Sequence, residues 1–313
     1  MNDKVISDTP EQAEFRAHCR EWLSKNRPAP FKGPVQTQEH PRINSPEHFQ
    51  WLRDWQKAAY DGGLVGCDYP KEYGGGGHTD CQRIANQEMT WAKMPGLIGK
   101  QGLSLVSPTL IDNGSEFLKK RFIPKALSGE EIWCQGFSEP GSGSDLASLQ
   151  CRAERHGDGY LVTGHKVWTT VAQYAKWMIL LARSDFESGK YQGLSYFLCP
   201  MDVEGISVQP LVKMSGEGGF NQVIFDHAPM PADSLLGHEG EGWKIAMTTL
   251  TFERGASEGT GAGGAALGGT GFVRQVADLA RRVERDGRPA AADPVLRDRL
   301  AGLWIQEEAL RLA

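Results

Sequence analysis

Residues 136–145, "GFSEPGSGSD", hold three glycines, three serines, one proline and two acids in ten positions. Side chains this small leave backbone N–H groups bare and set hydroxyls beside them, which is one way to offer donors to a ligand. A plain surface connection accounts for the same composition. Bulky Trp133 and Cys134 stand just ahead of the loop. A second glycine-rich stretch, residues 255–271, contains eight glycines, with Gly259, Gly261 and Gly264 in GxGxxG spacing. That spacing cradles a dinucleotide only where a strand runs into it, and no β-type run precedes it here. At about 1 kcal/mol per glycine relative to alanine, a regular helix is disfavoured, so a loop or an interrupted helix is expected. The eight histidines form no HxxxH and no Cys/His cluster, and the six cysteines include no CxxC pair. The cysteines read as reduced thiols that fill the core, and no metal site is expected.

The elements that must position the 136–145 loop fall into three regions. Residues 1–130 read as helical. "TPEQAEFRAHCREWLSKNRP" and "SPEHFQWLRDWQKAAYDGG" each open on a hydroxyl cap followed by proline, with apolar residues at helical spacing behind it. A further helix is expected over "DCQRIANQEMTWAKM", with "YGGGGHTD" as the loop ahead of it. Residues 131–240 read as strands: "YLVTGHKVWTT" as two short runs around Gly164–His165, then "KWMILLARSD", "LSYFLCP", "GISVQPL" and "NQVIFDHAPMP". Spacings near ten residues suggest an antiparallel barrel or sandwich. Residues 241–313 return to helix in "GWKIAMTTLTFERGA", "FVRQVADLARRVE" and "DPVLRDRLAGLWIQEEALRLA". The loop at 136–145 therefore lies where a helical domain meets a β-domain, a favoured place for a ligand cleft.

Composition narrows the function classes. The 34 basic and 39 acidic residues give a net charge of −5, which leaves no basic excess to neutralise phosphates, so a nucleic-acid partner is not expected. No run of 18 apolar residues is present, so no integral membrane segment is expected. The N-terminus "MNDKVISDTPEQAEF" lacks a basic start and an apolar stretch, which argues against a secretory signal and for a cytoplasmic protein.

With these elements in order, "GFSEPGSGSDLA" at 136–147 resembles the signature that opens the β-domain of the acyl-CoA dehydrogenase family. "VTGHKVWTT" at 162–170 resembles the family's second flavin-binding segment, and "FERG" at 252–255 resembles the helix that opens its C-terminal bundle. The resemblance covers most of residues 10–254. It implies an α+β multidomain fold: an N-terminal helical domain, a middle antiparallel β-barrel-like domain and a C-terminal helical bundle. The bundle here is partial, because the family continues for several helices beyond Ala313. A fragment of a longer protein, or a chain that depends on a partner, is therefore expected.

The resemblance also implies FAD as cofactor and a reaction in which an acyl-CoA thioester loses an α proton and a β hydride to become a trans-2-enoyl-CoA. Gln135, Phe137 and Ser138 would lie at the flavin, and Phe137 stands where the family more often has an aliphatic residue. Trp168 would pack on the ring. Strand alternation lets only one of Thr169 and Thr170 face the flavin; the resemblance selects Thr170 to reach N5, with Thr169 adjoining in the cofactor segment. Ser144 would adjoin the cofactor and contact the CoA part of the substrate, with Arg254 near the CoA moiety. Glu253 falls at one of the family's two base positions; the other lies in a stretch beyond this chain. Trp243, Ala246 and Leu250 share its helix face, so that face is expected to be buried. Taken without the resemblance, Trp168 reads as a core aromatic, the threonines as strand formers, Ser144 as a turn cap, and Glu253 and Arg254 as solvated helix charges. No Phe-Gly follows an arginine in "ERDGRPAAADPVL", so no FAD role is carried to Arg285 or Arg288. The implied partners are an electron-transfer flavoprotein and other subunits, in a homo- or hetero-oligomer. Two alternatives stand beside the dehydrogenase: a non-catalytic partner subunit of an active homologue, and an acyl-CoA oxidase.

Overall fold

A computed structural model describes residues 8–32, 43, 45–214, 219–255 and 272–312. Five helices come first. α1 (Pro10–Lys25) starts at a capping box, in which the Thr9 side chain and that of Gln12 each accept from the other's backbone N–H. α2 (Pro46–Asp61) is capped by Ser45, and α3 (Cys81–Trp91) follows the glycine loop. α4 (Ser107–Asn113) continues from a π-helical turn over Gly102–Val106. α5 (Glu116–Ser128) is capped by Ser115 and closed by Gly129 at φ 74°. The sequence pattern does not resolve α4 or α5 as separate helices. Phe15, Cys19, Trp55, Leu64, Ile84, Leu110 and Ile123 meet in the core between these helices. The buried Arg16 ties that core together through Asp8 (Nη2–Oδ1, 2.9 Å) and Glu88 (2.9 Å).

Eight strands follow: β1 (Trp133–Gly136), β2 (Arg152–His156), β3 (Gly159–Thr170), β4 (Trp177–Arg183), β5 (Leu194–Pro200), β6 (Ile206–Leu211), β7 (Phe220–Met230) and β8 (Leu235–Leu236). Their order is β6-β7-β3-β2-β4-β5-β8, with β1 alongside β4. This corrects the barrel-like expectation. The sheet is not closed, because β6 and β8 stand at opposite ends of the path. It is not wholly antiparallel either, since β1 runs parallel to β4. β2 and β4 meet through a single pair, Arg152 and Arg183, so the sheet divides into two halves. Ala153, Val162, Val223 and Phe225 from one half and Met178, Leu180, Phe197 and Cys199 from the other form a shared core. The opposite faces of β4 and β5, carrying Ile179, Leu181, Tyr196 and Leu198, join the helical core instead. Both faces of β4 are thus covered, which is why "WMILLA" is apolar without alternation.

β3 is one strand rather than two runs, but its pairing with β7 slips between Val162 and Gly164 and again between Lys166 and Thr169. α6 (Gly242–Gly255) packs against the helical core and β5. Its buried side is Ile245, Ala246 and Thr249; Trp243 and Leu250 are half-buried, and Glu253 is exposed. The expected buried face is therefore corrected: it lies one position round the helix, and Glu253 sits at the open end. All six cysteines are buried and free, as read from their scatter.

Met1–Ala262 form one compact unit and Gly263–Ala313 a second. The second unit contains α7 (Phe272–Arg282), a small hairpin of β9 (Glu284–Arg285) and β10 (Arg288–Pro289), and α8 (Pro294–Leu312). The hairpin turns on Asp286 and Gly287, both at positive φ. Asp293 Oδ1 accepts from Val295 N at the start of α8. Leu303 and Trp304 on α8 are exposed, while the side chain of Leu310 and the glycine-rich residues 256–271 lie outside the described residues.

Candidate functional site

The 136–145 loop is held from behind by a buried ion pair. Glu139 and Ser142 exchange backbone hydrogen bonds at 2.9 and 3.0 Å, which sets a tight turn. The Glu139 carboxylate accepts from Gln150 N (2.7 Å), Cys151 N (2.9 Å) and Lys166 Nζ (2.8 Å). Lys166, fully buried in β3, also donates to the Phe137 carbonyl at 3.0 Å. On the open side nothing crowds Gly141 or Gly143, and Ser144 is exposed. Among the described residues no protein group bonds the N–H of Gly141, Gly143 or Ser144, so these donors are available. A cleft of about 310 Å³ borders the turn, lined by Glu139, Ser142, Gln150 and His165.

The second segment is shaped by the bulge in β3. Trp168 has φ 61° and is 60% exposed, with its ring edge-on to Phe220 at 5.8 Å. A left-handed backbone costs a non-glycine residue about 1–2 kcal/mol, and here it turns a large aromatic outward rather than into the core. Thr170 is half-exposed. Thr169 is fully buried; its carbonyl accepts from Asn221 Nδ2 at 3.0 Å, and its hydroxyl has no partner. The two threonines thus differ in burial, Thr169 inside and Thr170 toward solvent.

The third segment is the end of α6. Fully buried Thr249 lies 3.0 Å from the Thr109 hydroxyl on α4 and 3.1 Å from the Tyr196 hydroxyl on β5. It donates to Ile245 O at 3.1 Å. This three-element junction fixes α6 one turn before Glu253. At its end Gln135 Nε2, on β1, donates to Glu253 Oε2 at 3.3 Å. Arg254 is exposed beside it.

A flavin ring needs a flat apolar cover and hydrogen-bonding groups at its polar edge. Exposed Trp168 and half-exposed Gln135, Ser138 and Thr170 fit that need. Two expected residues have buried side chains. The Phe137 ring is buried, edge-on to Tyr196 at 5.8 Å, and the Thr169 hydroxyl points inward. From the sequence, Glu139 reads only as a loop residue, and Lys166, Thr109, Tyr196 and Thr249 draw no notice. A lysine inside the strand run "GHKVW" is the available signal for the ion pair; nothing local marks the three hydroxyls.

Three family models match in order: the N-terminal domain of acyl-CoA dehydrogenase over residues 9–130, the middle domain over 134–228 and the C-terminal domain over 240–313. The acyl-CoA dehydrogenase IpdE1 of Mycobacterium tuberculosis is 39% identical over 306 residues, covering 95% of this chain and 75% of that protein. A solved steroid ACAD, Tcur3481-Tcur3483, superposes with TM-score 0.79 at 30% identity, over 100% of this chain and 76% of that one. The ChsE4-ChsE5 complex from Mycobacterium tuberculosis gives TM-score 0.76 at 27% identity, over 98% and 75%. With the signature loop, the bulged second segment and the glutamate-bearing helix brought together in one fold, this chain belongs to the acyl-CoA dehydrogenase family and is an FAD-dependent oxidoreductase of acyl-CoA thioesters.

Proposed function

We propose that the reaction runs at the junction of β1, the β3 bulge and the end of α6, with Glu253 as base. The 3.3 Å contact between Gln135 and Glu253 carries this reading, because it joins the signature strand to the family's alternative base position. The Glu253 carboxylate takes the α proton of the thioester. The Gln135 amide holds that carboxylate in place. Bound FAD supplies the hydride acceptor for the β carbon. Trp168 would cover the ring, and the Ser138 and Thr170 hydroxyls would bond its polar edge, where donors suit a flavin that accepts electrons. Ser144 and the Arg254 guanidinium, both exposed, receive the phosphate-bearing CoA chain. The division into 1–130, 131–240 and 241–313 is proposed on the same footing, supported by the three successive family matches.

The acyl group is proposed to be bulky and polycyclic, of steroid type. Similarity to a structure described as a steroid ACAD supports this. Assembly with a homologous subunit is proposed from the likeness to the ChsE4-ChsE5 complex. An electron-transfer flavoprotein as acceptor and a cytoplasmic location complete the proposal; no helix among the described residues is long and apolar enough to cross a membrane. The test is an anaerobic titration of the FAD-loaded protein with steroid-type and straight-chain acyl-CoAs. Loss of the flavin's visible absorbance with the steroid type first is expected; bleaching by straight chains alone contradicts the substrate class. Oxygen consumption during turnover separates an oxidase from a dehydrogenase.

A further inference from the structure

The Glu139–Lys166 pair is buried on both sides, with side-chain exposures of 8% and 0%. A buried pair is weak support for stability, since an apolar pair of similar volume often serves as well. What such a pair adds is direction. Lys166 fixes two acceptors at once, the Phe137 carbonyl and the Glu139 carboxylate. Glu139 in turn fixes the N–H groups of Gln150 and Cys151. Two residues along β3 from Lys166 is Trp168, and between them Val167 N donates to Ser138 O at 2.9 Å. The signature loop and the bulge are thus stitched together just behind the surfaces that carry Ser138 and Trp168. The register of β3 slips between Lys166 and Thr169, so the neighbouring strand does not hold the bulge in place.

We propose that Glu139 and Lys166 are positioning residues for FAD: they hold the loop and the bulge as one rigid piece, and flavin affinity depends on them although neither touches the ring. This rests on the flavin-site reading above. The whole chain carrying Glu139→Gln and Lys166→Met together loses both charges; the Gln150 and Cys151 N–H groups are held by different carboxylate oxygens, so the amide oxygen keeps only one of them. Its urea midpoint is expected to fall, because one buried N–H loses its acceptor, and the protein that remains folded is expected to bind FAD about ten- to a hundredfold more weakly, the scale of one charge-assisted hydrogen bond. The change in the FAD's own fluorescence on binding reports the affinity directly. A purely structural role predicts the lowered midpoint alone, with affinity falling only as folded protein is lost. A folded double variant that binds FAD as tightly as the wild type overturns the proposal, whereas a wild type that binds no FAD overturns the site assignment instead. Should the double variant not fold, hydrogen exchange on the wild type decides. The Val167, Gln150 and Cys151 amides are expected to gain protection when FAD binds, and unchanged exchange there sinks the idea.

Discussion

Replacing Thr249 by valine probes how α6 is held. The two side chains have nearly the same shape, so packing is kept and only the hydroxyl is lost. That hydroxyl donates to Ile245 O, so it is the acceptor for both Thr109 and Tyr196, at 3.0 and 3.1 Å. All three side chains are buried, with no water route to replace the lost acceptor. Each orphaned buried donor costs about 1–3 kcal/mol, so the pair comes to about 2–6 kcal/mol. That is a large share of the roughly 5–15 kcal/mol that separates folded from unfolded domains. Thr248→Val is the control: its hydroxyl bonds only Lys244 O, at 3.3 Å, and is exposed, so a change within about 0.5 kcal/mol is expected. Urea unfolding at constant slope measures both. A Thr249→Val midpoint indistinguishable from that of Thr248→Val refutes the view that this junction anchors the glutamate-bearing helix.

Three further outcomes are expected. Trp168→Ala with Thr170→Ala should lower the flavin content of the purified protein; full occupancy in that double variant would count against the bulge as the ring's cover. A Cβ at Gly136 would run into Sδ of fully buried Met178, so Gly136→Ala should cost about 1–3 kcal/mol by overpacking, read from its thermal midpoint. The Asp8 carboxyl is held below the usual aspartate range, chiefly by its hydrogen bonds to Arg16. Because the folded-state value is the lower one, this stabilisation is complete above the unfolded value and is lost as pH falls through the folded one. Asp8→Asn should therefore flatten the acid limb of a stability–pH curve, and an unchanged limb would show that Arg16 does not provide this stabilisation.

The helical regions were legible because their signals are local. Thr9–Pro10 and Ser45–Pro46 cap and start α1 and α2 where the residue types say they should. The strands were legible as runs but not as a sheet. Barrel closure is a statement about which edges meet, and no residue in β6 or β8 encodes that. "WMILLA" read as a strand run, but that both its faces are covered depends on partners from distant segments. At the site, the ligand-facing loop showed in its glycines and serines. The outward turn of Trp168 did not, because a bulge is a register mismatch with β7, a strand far along the chain. The Glu253 face was misplaced by one position because Trp243 and Leu250 are apolar yet only half-buried, while the polar Thr249 is the residue that goes inside. Helical spacing cannot distinguish a threonine that closes a buried hydroxyl junction from one that meets solvent.

The most direct test of the proposed chemistry is anaerobic flavin reduction by Glu253→Gln. Glutamine keeps the shape of the side chain and its contact distance to Gln135 but cannot accept the α proton. Loss of a general base lowers rates by about 10²–10⁴. The variant should therefore carry FAD and bind acyl-CoA as the wild type does, while the absorbance decay on mixing with substrate slows by that factor. Decay at the wild-type rate would contradict Glu253 as the base and place proton abstraction on another residue.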